Sequence, residues 1–412
     1  MGYLGPILTR RTFAAILAVV FVAAVFVPEA PVRAAEGVGS GLKLVAEIPF
    51  RDGSHMEMAT IKGRDYAFVS QVDGLASILH IIDITDPTHP NEVAASPCTG
   101  YQGNVQLSYD KKTLVVGIDD DITGNQSAPQ TSCPKQAASN AGFITIDISN
   151  PKKPRPLAFT DVPGGSHSIA THPTKPFVYS GEGFPEAPGQ MTVWSIKDPA
   201  KPKLVTTLDT GAHSPHDLAF NSDGSMMATA NVVNVHLMDT TDPADPKIVA
   251  TTQCPGCLHA HEARFTPDSK RLIVNDEYPA SPACPGGFMY FYDVTKSGST
   301  YGLDLTGTYT IAERGQTPSG GAPTLCTPHI FDISDDGSRV SAAWHEGGLR
   351  YLDISESAGV TSGAEQLVPG GVKELGWYSN PGGDVFSTKL FKGPYLYAVD
   401  LYVGFQVFKI ES

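Results

Sequence analysis

With 412 residues, 41% of them hydrophobic and 17% charged, the chain carries enough apolar side chain for a packed core and falls outside the disordered class. Its net charge of −14 and the lack of any basic stripe argue against nucleic acid and anionic membrane surfaces as partners. Gly and Pro are scattered as turn punctuation rather than gathered into a linker.

The chain opens with Thr9-Arg10-Arg11-Thr12-Phe13, an apolar run from Ala14 to Val27, and small residues at Val32-Arg33-Ala34-Ala35. Residues 1–35 therefore read as a signal peptide with n-, h- and c-regions. The paired arginines before Phe resemble a twin-arginine signal, with an ordinary Sec signal as the alternative. No later segment is apolar enough to span a bilayer, so no membrane insertion is expected. The expected location is periplasmic or extracellular, with residues 36–412 as one domain. Leu42-Lys43-Leu44-Val45-Ala46 then reads as a lone strand.

A phrase recurs from there on: a hydrophobic strand, an aspartate, Ser or Thr, then Asp-Pro. It runs Ile81-Ile82-Asp83-Ile84-Thr85-Asp86-Pro87, Thr145-Ile146-Asp147-Ile148-Ser149-Asn150-Pro151, Val193-Trp194-Ser195-Ile196-Lys197-Asp198-Pro199 and Leu237-Met238-Asp239-Thr240-Thr241-Asp242-Pro243. Weaker copies are Phe291-Tyr292-Asp293-Val294-Thr295, Tyr351-Leu352-Asp353-Ile354-Ser355 and the final Gly404-Phe405-Gln406-Val407-Phe408-Lys409. Period-2 alternation between turns gives four strands per unit, and the spacing suits propeller blades. The fold class is all-β: a seven-bladed β-propeller with the N-terminal strand closing the last blade, which removes two exposed edges. In the phrases Asp accepts turn amides and Pro presets the bend, so no chemistry is assigned to them.

Five units carry histidine where the innermost strand opens: Ser54-His55-Met56, Ser166-His167-Ser168, Pro215-His216-Asp217, Ala260-His261-Glu262 and Pro328-His329-Ile330. His55, His167, His216, His261 and His329 should therefore ring one mouth of the channel as metal ligands, with His345, His259 and His213 as further candidates. The second strands end at the same face and bring Glu182, Asp276, Glu277, His345 and Glu346; in blades two and seven the position of the ring histidine falls to Asn104 and Asp384, so every blade offers a polar group there. Neutral imidazoles suit a transition metal, copper or iron before zinc, and carboxylates can orient the rings. Asp217 and Glu262, next to ring histidines on an alternating strand, are expected to face away and support a neighbouring blade. His89, His172 and His236 lie in turns or within a strand and are expected not to ligate.

Six cysteines in an exported chain imply three disulfides. Cys98 with Cys133, Cys284 with Cys326 and Cys254 with Cys257 are natural pairs, although spacing leaves connectivity open. Leu258 after Cys257 excludes a c-type haem motif. Asp119-Asp120-Asp121 opens an insertion reaching Asn140; it lacks EF-hand spacing and reads as a solvated acidic loop.

The Asp-Pro phrases resemble the LVIVD repeats of bacterial secreted propellers across the mature chain, which implies the propeller but no particular activity. Ala343-Trp344-His345-Glu346-Gly347-Gly348-Leu349-Arg350-Tyr351-Leu352-Asp353-Ile354-Ser355 is similar to a blade phrase of the selenium-binding protein family, which includes methanethiol oxidase. That similarity implies a copper oxidase, while the family's redox cysteine motif is missing here. Two functions follow. One is a monomeric exported metal-dependent oxidoreductase acting on a small molecule, with Glu262 or Glu346 as general base and a zinc lyase or hydrolase as a variant. The other is a non-catalytic propeller that binds a protein or glycan partner.

Overall fold

The seven phrases all become the third strand of a blade. In chain order these are Leu79–Asp83, Gly142–Asp147, Gly189–Ser195, Asn234–Asp239, Met289–Ser297, Leu349–Asp353 and Gly404–Ile410. The computed structural model describes residues 37–411 apart from 72–77, 98–99, 101–102, 120–140, 163, 182–188, 278–285, 312–324 and 356–370. The expected signal peptide, Glu182, the rest of the acidic insertion, and the pairings of Cys98 with Cys133 and of Cys284 with Cys326 involve residues outside this set.

Where each third strand ends, the phrase's first aspartate folds the chain back. Asp83, Asp147, Asp239 and Asp353 each accept the backbone N–H two residues on at 2.9–3.1 Å. This is the Asx-turn that the residue type favours, and it explains why the phrase recurs without chemistry attached to it. Four-stranded antiparallel meanders result, with the blades at residues 53–96, 105–161, 168–211, 217–253, 260–309, 331–379 and 385–410. Cores form between neighbouring blades. Phe68 and Ile81 of blade one pack with Leu114 and Ile144 of blade two, and Phe291 of blade five packs with Trp344 of blade six.

The circle closes as the lone N-terminal strand suggests. Leu42–Pro49 pairs antiparallel with Gly404–Ile410, from Leu42 opposite Ile410 to Pro49 opposite Gly404. Met56, Val69 and Ile82 of blade one then pack against Tyr397, Phe405 and Val407 of blade seven. A feature the periodicity did not indicate is Val38–Ser40, which adds a fifth strand to blade six by pairing with Lys373–Ser379. Deleting residues 37–49 would bare two strand edges. We expect that variant in the insoluble fraction or as oligomers by size-exclusion chromatography; a soluble monomer with an unchanged melting temperature would contradict the closure.

Candidate metal centre

The innermost strands open at one end of the channel, and three of them open irregularly. The register slips between Gly53 and Met56 in blade one, between Ala260 and Glu262 in blade five, and between Val385 and Ser387 in blade seven. A bulge leaves an extra residue in the strand and suspends alternation, so consecutive side chains can share a face. In blade five this brings Glu262 into the same cavity as His261; Asp217 lines that cavity beside His216 as the first residue of a strand in regular register, so both depart from the expectation that they face away. They also brace the next blade, because Glu262 Oε2 accepts the Phe331 N–H of blade six at 2.7 Å.

His167, His216, His261, His329 and His345 form a continuous arc, with successive ring centroids 4.1, 4.5, 4.2 and 4.5 Å apart. Glu277 sits within it. Its Oε1 lies 3.2 Å from His345 Nε2, and its Oε2 lies 3.6 Å from His261 Nε2 and 3.9 Å from His259 Nδ1. Two trios offer ligand atoms mutually within 4.8 Å: His216, His261 and Glu277, and Glu277, His329 and His345. These groups are therefore able to hold a metal ion.

Outer partners orient three of the rings. His167 Nδ1 meets Asp119 Oδ2 at 2.7 Å, His345 Nδ1 meets Asp384 Oδ1 at 2.7 Å, and His329 Nδ1 donates to the Phe386 carbonyl at 2.6 Å. A partner on Nδ1 fixes the tautomer and turns Nε2 into the arc as the ligating atom, the usual arrangement around a protein-bound metal. His345 takes a left-handed backbone with φ of 44°, costly for a non-glycine residue. There its carbonyl accepts the N–H groups of both Gly348 and Val385.

Burial, reinforced by the neighbouring imidazoles, pushes His216 and His261 well below their usual proton affinity. Burial and then His345 hold His329 down at about 4. His345 is opposite: burial lowers it, but Asp384 and Glu277 outweigh burial and hold it up at about 9. Burial also opposes ionisation of Glu277, yet the His345 hydrogen bond and nearby imidazoles keep its carboxyl well below the normal range. At neutral pH His216, His261 and His329 are thus neutral beside the Glu277 carboxylate, the protonation state a metal requires, whereas His345 carries a proton that a bound ion would displace.

Inside the arc lies a cavity of about 230 Å³, lined among others by His55, Asn104, Ile330, Phe386, Arg264 and Lys389. Arg264 clasps Glu262, and Lys389 Nζ stands 3.7 Å from both Glu57 and Asp332. A small molecule would therefore meet metal ligands at one end and a charged network at the other.

His55 lines this cavity, but its ring stands edge-on to Phe386 at 5.7 Å and joins neither trio. His259 touches the arc, 4.4 Å from His216 between centroids. His213 is half-buried and not among the cavity-lining side chains; its carbonyl accepts from Thr210 and Asn231. His89 pairs with Asp86 in an exposed turn, His236 bonds Thr251 and Thr210, and His172 packs on Phe220. Of the two carboxylates read as candidate bases, Glu262 is committed to Arg264 and Phe331, and Glu346 lies outside the cavity lining. Asp276 holds the Leu258 and His259 amides at 3.0 and 2.8 Å. Cys254 and Cys257 form a disulfide, and Cys326 is disulfide-bonded.

The LVIVD repeat family profile matches residues 60–95 and 137–156, which contain the first two phrases. The chain is a seven-bladed β-propeller carrying LVIVD repeats. No curated protein sequence matches it. Among solved structures, it is similar to the β-propeller domain of Cps50 (Swd1) from Myceliophteria thermophila. That likeness has 12% identity and a TM-score of 0.59, and covers 89% of this chain and 99% of the other. It is also similar to a functionally unknown protein from Desulfotomaculum acetoxidans, with 14% identity and a TM-score of 0.54, over 80% of this chain and 90% of the other. At such identities these likenesses speak to the fold alone.

Proposed function

We propose that this chain is an exported metalloprotein, a periplasmic or extracellular oxidoreductase whose channel mouth holds copper or iron and oxidises a small molecule. The observation that carries the reading is the arc of oriented, largely neutral imidazoles around Glu277. Imidazole with one carboxylate suits copper and iron, and zinc fits the same donors less distinctively. The adjoining cavity supports a substrate of a few heavy atoms, and the signal sequence supports export. A bound metal would supply the electron-accepting centre. The chain's own part is to fix the imidazole Nε2 atoms, keep Glu277 ionised and shape the pocket. Glu277 displaces Glu262 and Glu346 as the carboxylate best placed beside a bound substrate.

The test is elemental analysis of the natively exported protein beside its His216→Ala and His261→Ala variants. The expected result is a stoichiometric transition metal whose content falls in both variants. A folded, metal-free native protein unchanged by either substitution would overturn the reading and leave a propeller that binds a protein or glycan.

A further inference from the structure

We infer that the mouth binds two metal ions bridged by the Glu277 carboxylate, an inference that rests on the metal-centre reading above. The two ligand trios share Glu277 and nothing else. Its two oxygens face different members of the arc, Oε1 towards His345 at its end, 3.2 Å away, and Oε2 towards His261 at its middle, 3.6 Å away. A single ion would use one oxygen or chelate both from one side. Oxygens aimed at separate imidazole groups describe a bridge, and two-metal sites place their ions about 3.5–4 Å apart.

The number of donors agrees. Five imidazoles and a carboxylate exceed what one tetrahedral or lower-coordinate ion accepts. Divided between two ions, with the bridging carboxylate counted at each, they give four protein ligands at one and three at the other, which leaves an open position at the second. His167 fits this division. Its Nε2 lies 3.2 Å from His216 Nε2, and two imidazoles on one tetrahedral metal at ordinary Zn–N lengths stand about 3.3 Å apart. The first ion would therefore take His167, His216 and His261, and the second His329 and His345, with Glu277 between them.

A further observation concerns His261, at the junction of the two groups. It is only 7% exposed, and its Nδ1 meets no hydrogen-bond partner among the described residues. Its Nε2 is 3.6 Å from Glu277, beyond hydrogen-bond range. A metal beside Glu277 would give the Nε2 of this buried ring the partner it lacks. The open position at the second ion would suit a small ligand that binds through one donor atom.

The experiment is a copper(II) titration of the chelator-stripped mature protein, read by native mass spectrometry and by electron paramagnetic resonance. The expected result is two equivalents bound, with signal intensity per copper falling as the second ion enters and the spins couple. His167→Ala/His216→Ala and His345→Ala should each retain one equivalent with a full, uncoupled signal. Glu277→Gln should abolish the coupling. One equivalent in the native protein, lost in both ligand variants, would overturn the bridge and leave a mononuclear centre. Two uncoupled coppers indifferent to Glu277→Gln would also overturn it. No copper bound at the mouth would overturn the metal reading itself. Stoichiometry and spin count of the unmutated protein decide the matter even where a variant fails to fold.

Discussion

Replacing Arg264 with methionine is expected to destabilise the protein by about 3 kcal/mol, the low end of the 3–5 kcal/mol seen when one partner of a buried ion pair is removed. Its guanidinium clasps Glu262, whose side chain is 2% exposed. It also favours the ionised form of Asp217, which burial pushes up to about 6. Without the cation, Glu262, which burial already pushes up to about 8, keeps the Phe331 N–H as donor and only the attraction of Lys389 to offset its charge. The Arg264 side chain is 24% exposed, so water in the cavity screens part of the interaction and sets the estimate low. Urea unfolding of Arg264→Met, Glu262→Gln and the double variant gives the coupling directly. The double variant should recover much of the single-variant loss, because no buried carboxylate is then left uncompensated at Glu262. Additive losses would show that the two side chains do not act as a pair.

The metal-free protein is expected to lose stability steeply below pH 6.5. His216, His261 and His329 are held neutral by burial, with folded-state affinities beneath the unfolded value of 6.5. In that window the unfolded chain binds more protons than the native one. Their stabilisation is therefore complete above pH 6.5 and is lost as pH falls toward the folded values. A tenfold change in proton affinity is worth about 1.4 kcal/mol, so His329, displaced from 6.5 to about 4, removes on the order of 3 kcal/mol. His345 runs the other way. Raised to about 9, its stabilisation is complete below pH 6.5 and disappears as pH rises through 9. Urea midpoints of the metal-free protein should fall as pH is lowered from 7 to 4.5, with a shallower fall as pH is raised from about 7 to 9. A flat acid limb would mean that the buried imidazoles are already protonated or exposed.

Much of this architecture is legible in the sequence because the repeat encodes it locally. Asp83, Asp147, Asp239 and Asp353 mark third-strand ends by Asx chemistry, which needs only the residue itself and the amide two residues on. Given that register, four of the five arc histidines follow from their position at the opening of an inner strand, and His345 from a second-strand end. The remainder depends on geometry without a periodic signal. Val38–Ser40 is too short to alternate. Asp276 and Glu277 are adjacent, and spacing cannot say that Asp276 turns to the loop amides while Glu277 enters the arc. Asp119 stands at the edge of an acidic run that suggests a solvated loop, yet its carboxylate orients His167. In blade seven Phe386, and not Asp384 as the spacing suggests, takes the position that carries histidine in other blades, because the slip between Val385 and Ser387 matches that between Ala260 and Glu262; it packs 4.1 Å from the His329 ring and stands beside His55. Arg264 and Lys389 read as ordinary strand cations until closure of the ring gathers carboxylates from different blades around them.

The most direct test of a metal centre at this mouth is anomalous diffraction, at the metal's absorption edge, from crystals of the natively loaded protein. The prediction is anomalous density beside Glu277, about 2.0–2.2 Å from the Nε2 atoms of the arc histidines. Crystals of the folded protein with no anomalous density at the mouth, or with the metal held only by surface carboxylates elsewhere, would contradict it.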